Sequence, residues 1–354
     1  MTKRHVKRLA CIAVVAATGL GAAAPSTAAG SHTVRPGESI QKAVDAARPG
    51  DTIVISPGTY RESVLVTKPG LILKGAGTKT VIVPAAASAR AANACAKAGN
   101  GICVLGKGTK TVDRVRISSL TVSGFKKNGI WASRTDRLSV RQVISEKNGV
   151  WGIAQERSTR GVFRDNTARD NGDSGIVIAN VVDSEGGATD TRGAVIRDNQ
   201  LTGNRIGVTV RRVRHLSVQG NNFTGNCGGL FVVGDESKPK AGAMTIQGNQ
   251  IRKNNKLCPR SSRLPVIQGA GIVLTGSEAT VVRSNVIRDN VGSSPFSGGI
   301  VLFKSVVGAP NTGNVIQDNV VLGNKTADLA NRDTGKGNTF VRNVCRASEP
   351  TGMC

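Results

Sequence analysis

Aromatic residues are scarce in this 354-residue chain: seven Phe, two Trp and one Tyr, 3% of the sequence. Single-stranded nucleic acid is held largely by stacking bases on such rings, and no nucleic-acid module motif occurs, so nucleic acid is not an expected partner. Histidine appears three times, and no Cys-x-x-Cys or Cys/His pair has metal-ligand spacing, so no metal site is expected. After residue 28 no apolar run approaches the roughly 20 residues of a membrane-spanning helix, and no membrane anchor is expected. Acid is the scarcer charge, with 23 Asp and Glu against 48 Lys and Arg and a formal net charge of +25.

The N-terminus carries Lys3, Arg4, Lys7 and Arg8, then the apolar stretch LACIAVVAATGLGAAA and small residues, with a cut after Ala28. This pattern is that of a signal peptide over 1–28, from which a secreted, extracellular protein follows. Cys11 stands at the start of the apolar run, which argues against a lipoprotein. The leader holds four basic and no acidic residues, so the remainder carries 44 against 23, or +21. A strongly cationic exported surface suits anionic partners such as uronate polymers.

An eight-residue phrase recurs: RDNTARDN to Asn171, RDNQLTGN to Asn204, QGNNFTGN to Asn226, QGNQIRKN to Asn254, RSNVIRDN to Asn290 and QDNVVLGN to Asn324. Its first asparagines, Asn166, Asn199, Asn221, Asn249, Asn285 and Asn319, are 33, 22, 28, 36 and 34 residues apart. The shortest step holds three short strands and three turns, one coil of a solenoid, and longer steps carry loop insertions. The Leu-x-x-Leu-x-Leu frame of leucine-rich repeats is missing. An apolar residue stands three positions before each first asparagine (Phe163, Ile196, Val218, Ile246, Val282, Ile316). Ile117, Val140 and, before Asn343, Phe340 extend that column to nine coils.

After the second asparagine a Gly opens an alternating strand. Ile176 and Ile178, Val208 and Val210, Leu230 and Val232, Ile272 and Leu274, and Ile300 and Leu302 then share one buried face. Stacked asparagines can pass amide hydrogen bonds from coil to coil and tolerate the left-handed backbone of a sharp turn. Asn166, Asn199, Asn221, Asn249, Asn285, Asn319 and Asn343 are therefore expected to form a structural ladder. Earlier in the chain, SIQKAVDAARPG places Ile40, Ala43, Val44 and Ala47 on one helical stripe that Pro49-Gly50 stops, a short cap over the open end of the stack. The expected layout is a linker and capping helix over 29–50, the solenoid over 51–345 and a tail over 346–354.

These repeats resemble the right-handed parallel β-helix, or pectin-lyase-like, superfamily over roughly residues 33–345. The resemblance implies an all-β, single-stranded right-handed parallel β-helix with an asparagine ladder. The opening GTYRESVLVTKPGLILKGAG also resembles pectin methylesterases, with Gly58, Tyr60 and Glu62 in their Gly-x-Tyr-x-Glu motif, and NosD-type accessory proteins. The remaining esterase motifs are missing, so the stretch is read as a signature of fold. Six cysteines remain after the leader. Cys227, next to Asn226, and Cys258, four past Asn254, fall at one corner of adjacent coils about 4.8 Å apart. Cys95 with Cys103 and Cys345 with Cys354 are then local pairs, the last tying down the tail.

In this superfamily substrate lies on the outer face of the Gly-aliphatic sheet. The resemblance maps that face onto Trp131, Ala154, Val177, Thr209, Phe231, Val273 and Val301 and, two residues on, Ser133, Glu156, Ala179, Arg211, Val233, Thr275 and Phe303. Insertions at 181–193, 234–242 and 304–313 are expected to fold over it, bringing Asp183, Glu185, Asp190, Asp235 and Glu236. Trp131, Phe231 and Phe303 are candidates for stacking on sugar rings. Paired-carboxylate hydrolysis and epimerisation lack their motifs here.

β-Elimination from a uronate asks less: a base, for which Arg211 or Lys304 is a candidate, and a cation to neutralise the carboxylate. If that cation is calcium, Glu156, Asp183 and Glu185 are the best oxygen group. On another face, Arg141, Arg164, Arg197, Gln219, Gln247, Arg283 and Gln317 form a polar stripe able to hold a polyanion. The expectation is a secreted monomer that binds or processes an acidic polysaccharide, by lyase-type elimination if it is an enzyme. The alternative is a non-catalytic envelope or matrix-binding protein of the NosD-like accessory type.

Overall fold

The computed structural model describes residues 29–86, 92–181, 186–261 and 264–354. The leader 1–28, Asp183 and Glu185 lie outside them. Two long parallel sheets dominate. One has 11 strands, among them Val64–Val66, Ile102–Leu105, Ile130–Ser133, Ile153–Glu156, Ser174–Ala179, Ile206–Arg211, Gly228–Val233, Ala270–Thr275, Gly298–Phe303 and Leu329–Arg332. The other has 20 strands and changes direction at the first asparagine of each repeat, where Val162–Arg164 gives way to Thr167–Arg169, so it supplies two faces of the tube.

Ile117, Val140, Phe163, Ile196, Val218, Ile246, Val282, Ile316 and Phe340 stack in direct register. All are fully buried except Phe340, which is half-buried in the terminal coil. Each such side chain contributes about 1.5–3 kcal/mol on leaving water. The 11 strands exceed the nine coils legible in the sequence. The coils at the ends lack the asparagine phrase and so leave no repeat to read.

Asn166 donates its main-chain N–H and its Nδ2 to Oδ1 of Asn199, both at 3.0 Å, and the same pair of bonds recurs through Asn221, Asn249, Asn285 and Asn319 to Asn343. The other Nδ2 hydrogen reaches a carbonyl on the preceding coil, as from Asn221 to Ile196 at 3.0 Å. A second column runs from Asn148 through Asn171, Asn204, Asn226, Asn254 and Asn290 to Asn324. It ends on buried Asp328, which takes both Asn324 donors on one oxygen and the N–H groups of Arg346 and Ala347 on the other. Buried amides are thereby satisfied without water.

The left-handed residue at the corner is not the ladder asparagine, as expected, but the one before it. Asp165, Asp198, Gly220, Gly248, Ser284, Asp318 and Arg342 have φ between 52° and 65°. Turning one residue early leaves the asparagine N–H directed along the stack, where the ladder uses it.

Helix Ile40–Ala46 lies across the N-terminal end with Ile40, Val44 and Ala47 buried. Ser39 caps it, and the Glu62 carboxylate accepts from Ser39 Oγ and the N–H groups of Ile40 and Gln41. Gln41 in turn pairs its amide with both the N–H and the carbonyl of Leu65 in the edge strand, blocking further strand addition there. Tyr60 donates to the carbonyls of Val34 and Ser56, and a Cβ at Gly58 would come within 2.8 Å of Pro36. The Gly-x-Tyr-x-Glu triplet thus builds the cap.

The solenoid outruns the layout read from sequence at both ends. Ser31–Val34, taken for linker, is a strand paired with Thr52–Ile55, and Ser348–Glu349, taken for tail, pairs with Leu329–Ala330. Beside the first of these, Asp51 meets His32 Nε2 at 2.9 Å and accepts from the N–H groups of Arg48 and Gly30. The His32 contact first, then the two main-chain bonds, hold its carboxyl down at about 2. Disulfides join Cys95 to Cys103, Cys227 to Cys258 and Cys345 to Cys354.

Candidate functional site

On the outer face of the 11-stranded sheet Trp131, Ala154, Val177, Thr209, Phe231, Val273 and Val301 lie side by side, as do Ser133, Glu156, Ala179, Arg211, Val233, Thr275 and Phe303. Ala154, Val177, Phe231, Val273 and Val301 are nonetheless at most 4% exposed. Their cover comes mainly from loops other than those expected. Leu264 and Ile267, in the segment before strand Ala270–Thr275, and Phe296, before Gly298–Phe303, join Phe231, Val273 and Val301 in an apolar cluster outside the tube. Phe296 meets Phe231 and Phe303 edge-on, at centroid distances of 5.3 and 4.6 Å.

The Cys227–Cys258 bridge and Arg205, which donates to the carbonyls of Pro259 (2.8 Å) and Pro265 (3.0 Å), pin the first of these loops. Of the insertions expected to fold over the face, 189–193 runs within the larger sheet, and Gly242 bridges to Arg214 and Glu278 at a corner. Among the described residues of these insertions, 304–307 and the Gly234-Asp235 pair reach the face.

Between these loops runs a groove of about 750 Å³. Val177, Thr209, Phe231, Val233 and Thr275 line it from the sheet; Leu264, Pro265 and Phe296 come from one set of loops, and Asp235 and Lys304–Val307 from the other. Trp151 and Asp173 also enter it. Arg211 and Lys304 bring cations. Arg211 is in register with Val233, Thr275 and then Phe303, so the two cations are three coils, about 14 Å, apart along the axis. Arg212, its side chain only 3% exposed, holds Asp235 at 3.3 Å and donates to the Val181 carbonyl at 2.6 Å.

The candidates read from sequence divide accordingly. Arg211, Lys304, Phe231 and Phe303 line the groove, but Phe231 is 2% exposed and its ring packs against Phe296 instead of offering a stacking surface. Glu156 and Trp131 do not line it. Glu156 accepts from Ser133 Oγ at 3.0 Å, and Trp131 stacks on Trp151 with centroids 5.8 Å apart and planes 19° from parallel. Sequence reasoning missed Trp151, Asp173, Arg212 and Phe296. One signal was there: the second asparagine and the next strand's Gly are three residues apart at Asn204–Gly207 but 17 at Asn254–Gly271 and nine at Asn290–Gly299, which marks where the wall is inserted.

The groove can hold a chain that is apolar on its ring faces and anionic at intervals. Asp173 and Asp235 flank opposite ends of the strands, roughly 20 Å apart at the rise of a strand, too far for the about 6.5–9.5 Å of an inverting carboxylate pair. Among the described residues no three His, Cys, Asp or Glu side chains converge. Of the calcium group read from sequence only Glu156 is described.

The family model described as a right handed beta helix region matches residues 87–251. The chain folds as a right-handed parallel β-helix, and the match supports a place in that superfamily. A second model, described as periplasmic copper-binding protein (NosD), matches 179–350. This β-helix does not offer copper a donor set among its described residues: its six cysteines beyond residue 28 are in disulfides, and His32 and His215 each pair with a single aspartate. Among solved structures, the mannuronan C-5 epimerase AlgE4 A-module of Azotobacter vinelandii is 17% identical, covering 88% of this chain and 90% of its own, with a TM-score of 0.59. DFA-IIIase from Arthrobacter chlorophenolicus A6 is 15% identical over 87% and 90%, TM-score 0.56. The periplasmic alginate epimerase AlgG is 15% identical over 88% and 83%, TM-score 0.53. At this identity the likeness is one of fold. No curated protein matches the sequence.

Proposed function

We propose that this β-helix is an exported protein that binds an acidic polysaccharide along its outer groove. The observation that carries the reading is the pairing of an apolar, partly aromatic channel with two cations, Arg211 and Lys304, spaced along the helix axis. Ring faces pack on Trp151 and Phe303, and the polymer's carboxylates meet the guanidinium and the ammonium. The basic leader with its apolar run and the three disulfides fit a secreted or periplasmic location. The names of two structural neighbours, epimerases of mannuronan and alginate, support the same ligand class.

The test is retention of the mature protein on alginate, pectate and hyaluronan, with absorbance of unsaturated uronate ends followed in parallel. Retention that drops about tenfold in both Arg211→Ala and Lys304→Ala supports the groove. Unchanged retention in both variants rejects it. Growth of the absorbance signal, lost in Arg211→Ala, would add lyase-type elimination; retention without product leaves a binding protein of the accessory type.

A further inference from the structure

A second built surface lies on the larger sheet, away from the groove. Arg197, Gln219, Gln247 and Arg283 follow one another in register across four coils, so the two guanidinium groups bracket the two amides at about 14 Å. A shallow pocket of about 390 Å³ opens among Arg197, Asp198, Gln219, Gln247 and Ser284, with Gly220 and Gly248 on its lining.

Two features give this trough a preference. The first is what the corner residues omit. In neighbouring coils the left-handed corner residue is an aspartate that pairs with an arginine: Asp165 with Arg164 at 3.7 Å, Asp198 with Arg197 at 3.1 Å, Asp318 with Arg342 at 2.7 Å. At the three central coils that residue is Gly220, Gly248 or Ser284, so the one carboxylate in the trough's lining is Asp198, which Arg197 already neutralises.

The second is how the amides are wired. Arg283 Nε donates to Gln247 Oε1 at 3.0 Å, and Gln247 Nε2 donates to Gln219 Oε1 at 3.1 Å. Each amide oxygen in the row thus accepts one bond from within the row, which leaves amide N–H groups of Gln219 and Gln247 for a ligand. A row with amide donors between two guanidinium groups matches a ligand rich in acceptors with anionic charge at intervals. The trough has no aromatic ring, so it lacks the platform on which bases would stack.

We propose that this trough is a second binding site for a carboxylate-bearing polysaccharide. The polymer's carboxylates meet Arg197 and Arg283, and its hydroxyl and ring oxygens accept from Gln219 and Gln247. It shares no residue with the groove, so one molecule holds two polymer segments on different faces.

The experiment uses the groove variant Arg211→Ala/Lys304→Ala as background and measures retardation on polygalacturonate by affinity electrophoresis. Adding Gln247→Leu and Arg283→Ala is expected to cut the remaining retardation at least fivefold, with an unchanged melting temperature. Should those two changes upset the fold, Arg283→Gln alone, which removes the charge and keeps a polar side chain, is expected to cut it about threefold. Unchanged retardation in both overturns the proposal, whatever the groove itself binds. Equal retardation by single-stranded DNA through the same residues also overturns it, since the trough would then be an unselective anion patch. Full retardation in the groove variant that drops with the trough changes supports the trough and counts against the groove alone.

Discussion

Within strand Ile206–Arg211, Val208 and Val210 point into the tube and stack on Ile176 and Ile178 below and Leu230 and Val232 above, while Thr209 and Arg211 point outward into the groove. The inner residues meet their own kind in the coils on either side. The outer ones meet Phe296, Leu264 and Lys304, each contributed once and from coils far apart in the chain. Repetition thus builds the rod, and insertion builds the site on it. Because each coil needs only its neighbours, a loop can lengthen without disturbing the stack.

The sharpest way to break this contrast is to remove one rung. Asn221→Ala strips two donors on Asn199 of their acceptor and should cost about 3–5 kcal/mol in urea unfolding, whereas Asn222→Ala, one residue along and facing outward, should cost under about 1 kcal/mol. Equal losses would mean that the amide column does not carry the rod.

Next in size is the wall. Replacing Cys227 and Cys258 by Ser should cost about 2–4 kcal/mol and speed proteolysis between 255 and 268 while the circular dichroism of the sheets persists. Collapse of the whole spectrum would show that wall and rod are one unit. Arg211→Ala should then weaken polysaccharide binding about tenfold, or about 1.4 kcal/mol, with little change in melting.

The smallest effect is one of pH. Asp51 ionises at about 2 in the folded protein against an ordinary 3.8. Its contribution is therefore complete above pH 4 and fades as pH falls towards 2. Melting temperature followed from pH 5 to 2 should fall more steeply in the native protein than in Asp51→Asn; parallel curves would dismiss the His32–Asp51 clasp as a stabiliser.

What could be read in advance follows the same division. Val218 and Asn221 were legible because eight other coils place an apolar residue in the same column and the asparagine recurs with it. Phe296 and Trp151 were not, since no second copy marks their positions and only an unusually long gap after Asn290 hints at the first. The corner was misplaced by one residue for a physical reason: Asp, Gly and Asn all tolerate a left-handed backbone, and an Asp-Asn or Gly-Asn pair does not say which of the two turns. Glu62 was visible as a motif, but its task of holding N–H groups of a helix 20 residues upstream depends on a contact between segments that spacing alone does not reveal.

From Asn148 onward every amide in the second column donates towards the C-terminal end, so Asn324 arrives there with two N–H groups that no further asparagine answers. Asp328 answers both. In this position an amide hands the column on to the next turn, and an acid closes it. New turns can therefore be duplicated inside the column with both termini left as they are. Lengthening the column past Asp328 would need that acid changed to an amide and a fresh one written a turn later, two simultaneous changes.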